Sequence, residues 1–407
     1  MARNYKNFID AYVEYHKDQF IPEKFVKWTA ISIMAGALER KVWLPWSRSL
    51  SIYPNLYILL VAHPAIGKSS AIMPGIKMLR EINMEFNSMK FIPSQVTEAK
   101  LIEMMRHPSI FEYKNAAQKQ CAGFYYASEA SACLKDLYGG FVSTITAFYD
   151  CDPVWEKATV GMKDETYLLV NVCFNLIAGC TFDYLGKLIT KDNIMGGFAS
   201  RLNYVVQNEV ITRSSPWQNR GIEKSEAVDY DLLKADLIDI HQLVGPFRGD
   251  SDYQEKWEAW FPTFDLGRQN MESENHQALL ARKHTNLLKL SMILSVAESS
   301  DRIVKGHHFD EAMAMTDELE EQLPNMLRSG ESKEVNTQKG LNAAIFKALL
   351  AQPDKSMPYQ SLKQKLMYSG FKANDIQSTT DVFRQSNSTI TFDGINIRLV
   401  GNPNKYL

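Results

Sequence analysis

The stretch Pro54-Asn-Leu-Tyr-Ile-Leu-Leu-Val-Ala-His-Pro-Ala-Ile-Gly-Lys-Ser-Ser-Ala71 constrains the fold more than any other part of the chain. Its apolar run is short and does not alternate, which reads as a strand buried on both faces. A loop containing Pro64 and Gly67 follows, and then a helix-compatible run. Strand, loop and helix in that order fit the pattern G-x4-G-K-[ST], whose turn wraps a phosphate. Gly67, lacking Cβ, lets the backbone close around an anion. Lys68 supplies a point charge for β- and γ-phosphates, Ser69 a hydroxyl for Mg²⁺, and the helix N-terminus its N–H groups. Ala62, Pro64, Ala65, Ile66, Gly67, Lys68, Ser69 and Ser70 are therefore the expected binding set for ATP and Mg²⁺. Ala62 stands where the pattern has its first glycine, so the loop should start at negative φ or under slight strain.

The rest of the chain is long enough to build domains around such a unit. It has 407 residues, 45% hydrophobic and 23% charged, with a net charge of −2. That balance excludes a wholly disordered chain, a collagen-like repeat and a generally basic, histone-like binder. Five cysteines (Cys121, Cys133, Cys151, Cys173, Cys180) make no CxxC pair and read as reduced, buried thiols. The N-terminus carries no apolar signal core, and no run approaches the ~20 apolar residues of a membrane span. The expectation is a cytoplasmic protein without membrane contact, in the host cytoplasm if phage-encoded.

Residues 1–50 read as a helical segment ending in a short strand at Lys41-Val-Trp-Leu-Pro. From 51 to 228, short apolar runs alternate with helical stretches at 69–89 and 97–106, which predicts a largely parallel sheet covered on both faces. Tyr167 to Gly179 reads there as one strand. Residues 229–327 are helical, 328–340 a polar linker, and 341–407 a small unit of three helices and a hairpin turning at Asp393-Gly394. That order matches a winged-helix module.

A phosphate loop needs an acid at the end of a neighbouring strand. The best candidate is Gly123-Phe-Tyr-Tyr-Ala-Ser-Glu129, with Glu129 to polarise water and Ser128 where an aspartate would serve the metal; capping of the following helix by Glu129 is the plainer alternative. A further strand ends at Cys180-Thr181, and Thr181, or failing it Asn175, is placed to meet the γ-phosphate or the water. Arg201, just before the apolar run LNYVV, suits charge stabilisation on the nucleotide of a neighbouring subunit. Arg282 opens the helix ARKHTNLLKL and is placed to reach phosphates from the helical region.

With these pieces in order, residues 8–325 resemble AAA+-type P-loop ATPases, closest to helicase-like proteins of phages and mobile elements that are distantly similar to minichromosome-maintenance helicases. The resemblance implies an α/β P-loop NTPase (AAA+-like) core with a parallel sheet, an N-terminal helical lead-in, a helical lid and a C-terminal winged helix. It makes Lys68 and Ser69 Walker A residues, Glu129 the Walker B catalytic acid, Thr181 sensor 1, Arg201 the arginine finger and Arg282 sensor 2. Its departures are Ala62 for glycine and Ser128 for aspartate. It further implies an ATP-driven helicase or translocase acting as a homo-oligomeric ring, often a hexamer, on single-stranded DNA, with replication proteins as possible partners. Lys163, at the tip of a hairpin read over 157–170, is the expected DNA contact. The alternative is an ATP-binding loader or replication scaffold that assembles without unwinding.

Overall fold

The computed structural model describes residues 3–19, 21–132, 134, 140–159, 165–188, 197–207, 228–269, 274–322, 341, 342, 344–368, 371, 373–386, 390–393 and 395–400. The chain divides into two compact units, residues 1–326 and 327–407. Lys163, Gly196, Cys133, Gly394 and the expected linker 328–340 lie outside the described residues.

The first unit begins with two helices. α1 (Phe8–Tyr15) is capped by Asn7, whose side chain accepts from the N–H groups of Ile9 and Asp10. α2 (Glu23–Leu38) follows Pro22 and is buried along nearly its whole length. β1 (Val42–Pro45) comes next and pairs with β2 (Ser51–Ile52), so the strand expected near residue 41 belongs to a small separate sheet. The central elements are β3 (Tyr57–Val61), α3 (Lys68–Phe86), β4 (Met89–Ile92), α4 (Glu98–Met105), β5 (Ser109–Tyr113), β6 (Ala116–Ala127) and α5 (Gly140–Tyr149). They continue with β7 (Val154–Thr159), β8 (Glu165–Val170), β9 (Val172–Cys180), α6 (Phe182–Leu188) and β10 (Leu202–Val206).

The fold is α/β with a mostly parallel central sheet. Its strands run β10-β3-β9-β6-β4, all parallel, with β5 added antiparallel to β6. β3 is therefore internal, and all five of its residues are buried, which explains its unbroken apolar run. Ile58, Leu60, Phe124, Ile177 and Val205 face a core shared with α1, α2 and α3. On the opposite face the Tyr57 ring meets Tyr149 and Phe174.

The stretch read as one strand over 167–179 is two. Asn171 sits at φ 51° and breaks it, leaving β8 paired antiparallel with β7 while β9 enters the central sheet. Asn tolerates that left-handed conformation better than most residues. Its side chain also donates to the Lys119 carbonyl at 2.8 Å, which fixes the break.

Helices Tyr230–His241, Ser251–Gln269, Glu274–Leu280, Lys283–Glu298 and Gly306–Glu321 follow. Between them, β11 (Gly245–Pro246) joins β1, and β12 (Arg248–Gly249) pairs with β13 (Ile303–Val304). Leu233, Leu290 and Leu319 from these helices share one core with Phe8 and Ile58. No helix among the described residues is long and apolar enough to cross a membrane.

In the second unit residues 344–350 are helical, followed by β14 (Ser356–Pro358), helices Tyr359–Tyr368 and Ala373–Ser386, β15 (Ile390–Asp393) and β16 (Asn396–Leu399). β14-β16-β15 form an antiparallel sheet. Phe346, Leu349, Leu362, Ile376 and Ile397 make a core of its own. β14 adds a strand to the expected helices and hairpin; three residues ending in proline carry too little pattern to read in sequence.

Candidate functional site

In open parallel sheets, ligands bind beyond the carboxyl ends of the strands. At that edge three segments meet: the loop 62–67 after β3, Ser128-Glu129 after β6, and Thr181 after β9.

Ala62 is still part of the sheet. Its N–H donates to the Cys180 carbonyl at 3.1 Å, and its methyl is buried in the core. Positive φ falls instead at Ala65 (68°) and Gly67 (91°). The loop thus starts at Ala62 without positive φ, the first of the two expectations, and the left-handed alanine lies three residues later, because the backbone at Ala62 runs on from the strand and does not need glycine. His63, Pro64 and Ala65 are exposed, and Gly67 starts α3 without a side-chain cap or any acid in the first turn. A helix N-terminus of this kind leaves its first N–H groups without intrahelical partners and attracts anions.

Lys68 curls back over the loop. Its Nζ donates to the carbonyls of Ala62 (2.9 Å) and His63 (3.0 Å), and the residue is only 5% exposed. Burial lowers its pKa, opposed by the Glu129 carboxylate. Cys180 shares the same field: its thiol is pushed up to about 12 by burial and then by Glu129, with Lys68 opposing. Glu129 and Ser128 are exposed. Gly179 lets these segments meet, since a Cβ there would lie 2.2 Å from the Ser128 carbonyl oxygen and 3.3 Å from Lys68 Cβ.

The Thr181 hydroxyl accepts from the Tyr184 N–H at 3.3 Å and so caps α6. Asn175 lies deep in the sheet, bonded to the Leu56 N–H (2.9 Å) and the Ala35 carbonyl (3.4 Å), away from the loop. Ser69, Ser128 and Glu129 offer two hydroxyls and a carboxylate, a hard-oxygen set that suits Mg²⁺ keeping several waters.

The two arginines are not at this edge. Leu202 pairs with Tyr57, the first residue of β3, so Arg201 sits at the amino ends of the strands. It is 8% exposed and grips Asp150 Oδ2 at 2.5 Å and the Gly197 carbonyl at 2.8 Å. Arg282 binds the other oxygen of Asp150 at 3.2 Å. Beneath them Lys289, fully buried, donates to Asn55 O (3.0 Å) and Oδ1 (2.8 Å) and lies 3.6 Å over the Tyr149 ring. Burial lowers its pKa to about 8. A cavity of about 340 Å³ opens here, lined in part by Tyr53, Tyr149, Asp150 and Arg282.

Sequence reasoning missed Asp150 and Lys289, although both left a trace. An acid just after a helix C-terminus opposes the helix dipole, and a lysine inside LLKLSMIL interrupts an apolar stripe. Trp257, Trp260 and Phe261 form a ring cluster with Trp46 and His284.

Glu298 Oε2 lies 2.9 Å from His307 Nε2 and 3.1 Å from His308 Nε2. His308 Nδ1 accepts the Lys305 N–H, so in the neutral ring Nε2 carries the proton and donates to Glu298. That nitrogen has no lone pair for a metal, and the group is a hydrogen-bonded helix start.

No protein-family model and no curated protein matches this chain, so its function rests on the geometry above.

Proposed function

We propose that this chain is a P-loop ATPase of the AAA+ type that acts on single-stranded DNA as a ring of copies, with ATP and Mg²⁺. One observation carries the reading: an uncapped helix N-terminus, a lysine parked on loop carbonyls and an exposed glutamate gather where three parallel strands end.

Lys68 would exchange two neutral carbonyl partners for phosphate oxygens, a stronger class of hydrogen bond. The N–H groups of 67–70 would receive the same phosphates. Glu129 would polarise the attacking water, and Ser69 with Ser128 would hold Mg²⁺, which supplies charge neutralisation on the phosphates when bound. Thr181 spends a lone pair on α6 but keeps its hydroxyl proton for the γ-phosphate. Arg201 and Arg282, both at the far end on Asp150, would serve the nucleotide of a neighbouring copy; Arg282 would do so in place of a role within its own chain. The helices after residue 229 would form the lid, and the second unit a winged helix.

A second reading, an ATP-dependent loader or scaffold without unwinding, is favoured by Ser128 in the metal shell and by the internal ion pair of Arg201.

Calorimetry with ATP and Mg²⁺ tests the core claim. Lys68→Ala should weaken binding about 10- to 100-fold, the loss of a charged hydrogen-bond set of about 1.5–3 kcal/mol. Indifference of the intact protein to ATP would sink the proposal. Strand displacement on a forked duplex separates the two readings. Mixing Arg201→Ala with Lys68→Ala chains should restore hydrolysis if the arginine acts across subunits.

A further inference from the structure

At the amino ends of the strands, a groove unconnected with the loop 62–69 gathers aromatic rings and cations. Its cavity is about 150 Å³ and is lined in part by Arg40, Trp43, Tyr53, Phe111, Tyr113 and Gln118, with no carboxylate among its described lining residues. All four rings are partly exposed. Phe111 and Tyr113 come from the β5–β6 hairpin, whose two-residue turn, Lys114-Asn115, holds φ of 51° and 59°. Both residues in the left-handed region make a tight turn that keeps the hairpin rigid.

Each outer ring is paired with a cation. The Arg40 guanidinium lies 4.1 Å over Tyr53 and is fixed by donating to the Val172 carbonyl at 3.0 Å. The Lys114 ammonium, exposed, lies 5.3 Å from the Tyr113 ring. Tyr113 packs edge-on to Trp43 at 5.1 Å. Arg302 approaches the same spot beside Gly245, and its Nε is buried without a hydrogen-bond partner. Alternation along β5 turns Glu112 away from the face of Phe111 and Tyr113.

We infer that this groove is a stacking site for a base of single-stranded nucleic acid, with the phosphates held by Lys114. Aromatic faces interleaved with cations and free of acids are what an unpaired base and its phosphodiester require. An apolar peptide would have no use for the cations, and a basic one would be repelled. A cavity of this size has room for one six-membered ring, so a pyrimidine is the base it favours. The inference deepens the DNA-binding part of the proposed function and rests on it for the choice of polymer. It does not depend on ATP: the groove lies about 30 Å from Glu129 along β6.

The test is fluorescence anisotropy of labelled oligo-dT, oligo-dA and oligo-rU with the full chain and no nucleotide, alongside calorimetry of ATP binding. Oligo-dT should bind more tightly than oligo-dA. Phe111→Ala should weaken oligo-dT binding about 5- to 150-fold, the worth of one stacked base. Lys114→Ala should lower the salt dependence by about 0.7 in log–log slope, one phosphate of a single strand. Neither should alter ATP binding. An equal loss with oligo-rU assigns a groove blind to the sugar, and a loss confined to oligo-dT assigns DNA. Unchanged oligo-dT affinity in both variants, with melting curves intact, overturns the inference even if ATP binds. A change in oligomer size without a change in DNA affinity also overturns it, making the groove a protein contact. Failure of ATP binding with these DNA losses intact sinks the motor and leaves the groove standing.

Discussion

The two ends of the central sheet use charge in opposite ways. At the carboxyl end, Lys68 leans on neutral carbonyls, α3 starts uncapped, and Glu129 and Ser128 stay exposed. At the amino end, two clusters spend their charges on one another, apart from the groove at Arg40, which has no carboxylate among its described lining residues. Asp150 holds Arg201 and Arg282. Glu39 sits 3.6 Å from Lys41 and 3.7 Å from His241, all nearly buried. Unspent donors suit a ligand, while clusters whose ions are already matched, as at Asp150 and Glu39, are built to stay folded or to exchange partners as a set.

The sharpest way to break the contrast is Gly179→Ala. Its methyl would strike the Ser128 backbone and crowd Lys68, so the carboxyl end must shift. The expected cost is more than about 3 kcal/mol, at the upper end for overpacking, and denaturant melts together with lost ATP binding check it.

Acid should strike the amino end through His241. Burial and the Lys41 charge lower the His241 pKa to about 4. Between pH 6.5 and 4 the unfolded chain takes up a proton that the folded chain refuses, so stability falls as pH falls. The loss is about 3 kcal/mol, and His241→Gln should flatten that part of the stability–pH curve. An unchanged slope would mean that His241 is not held neutral.

Asp150→Asn should cost about 2 kcal/mol, less than a fully buried pair because the carboxylate is 33% exposed. ATP binding to the isolated chain should survive, as Asp150 lies at the other end. Loss of binding there would join the two ends into one site. The smallest effect is Ala65→Gly. Relief of the left-handed alanine should stabilise the protein by about 1 kcal/mol, read as a higher melting temperature.

The carboxyl-end loop was legible because its parts are contiguous. Ile58 to Ser70 carry strand, turn and helix in one short run, and local chemistry fixes their order. Thr181 and Glu129 were legible as strand ends. Of the two expectations at Ala62, ordinary φ holds and strain does not, and the backbone decided between them through the bond to Cys180. The break at Asn171 was hidden because apolar residues continue on both sides of it.

What the sequence determined by itself was local: which runs bury both faces, where a helix begins, and that a lysine follows a glycine where a strand turns into a helix. Only the tertiary structure decided that Arg201 and Arg282 share Asp150, that Lys289 lies under Tyr149, and that Phe111 joins Trp43 and Tyr53 around one groove. Those groups are far apart along the chain. Strand order and helix packing set their distances, and neither is encoded in any single window of residues.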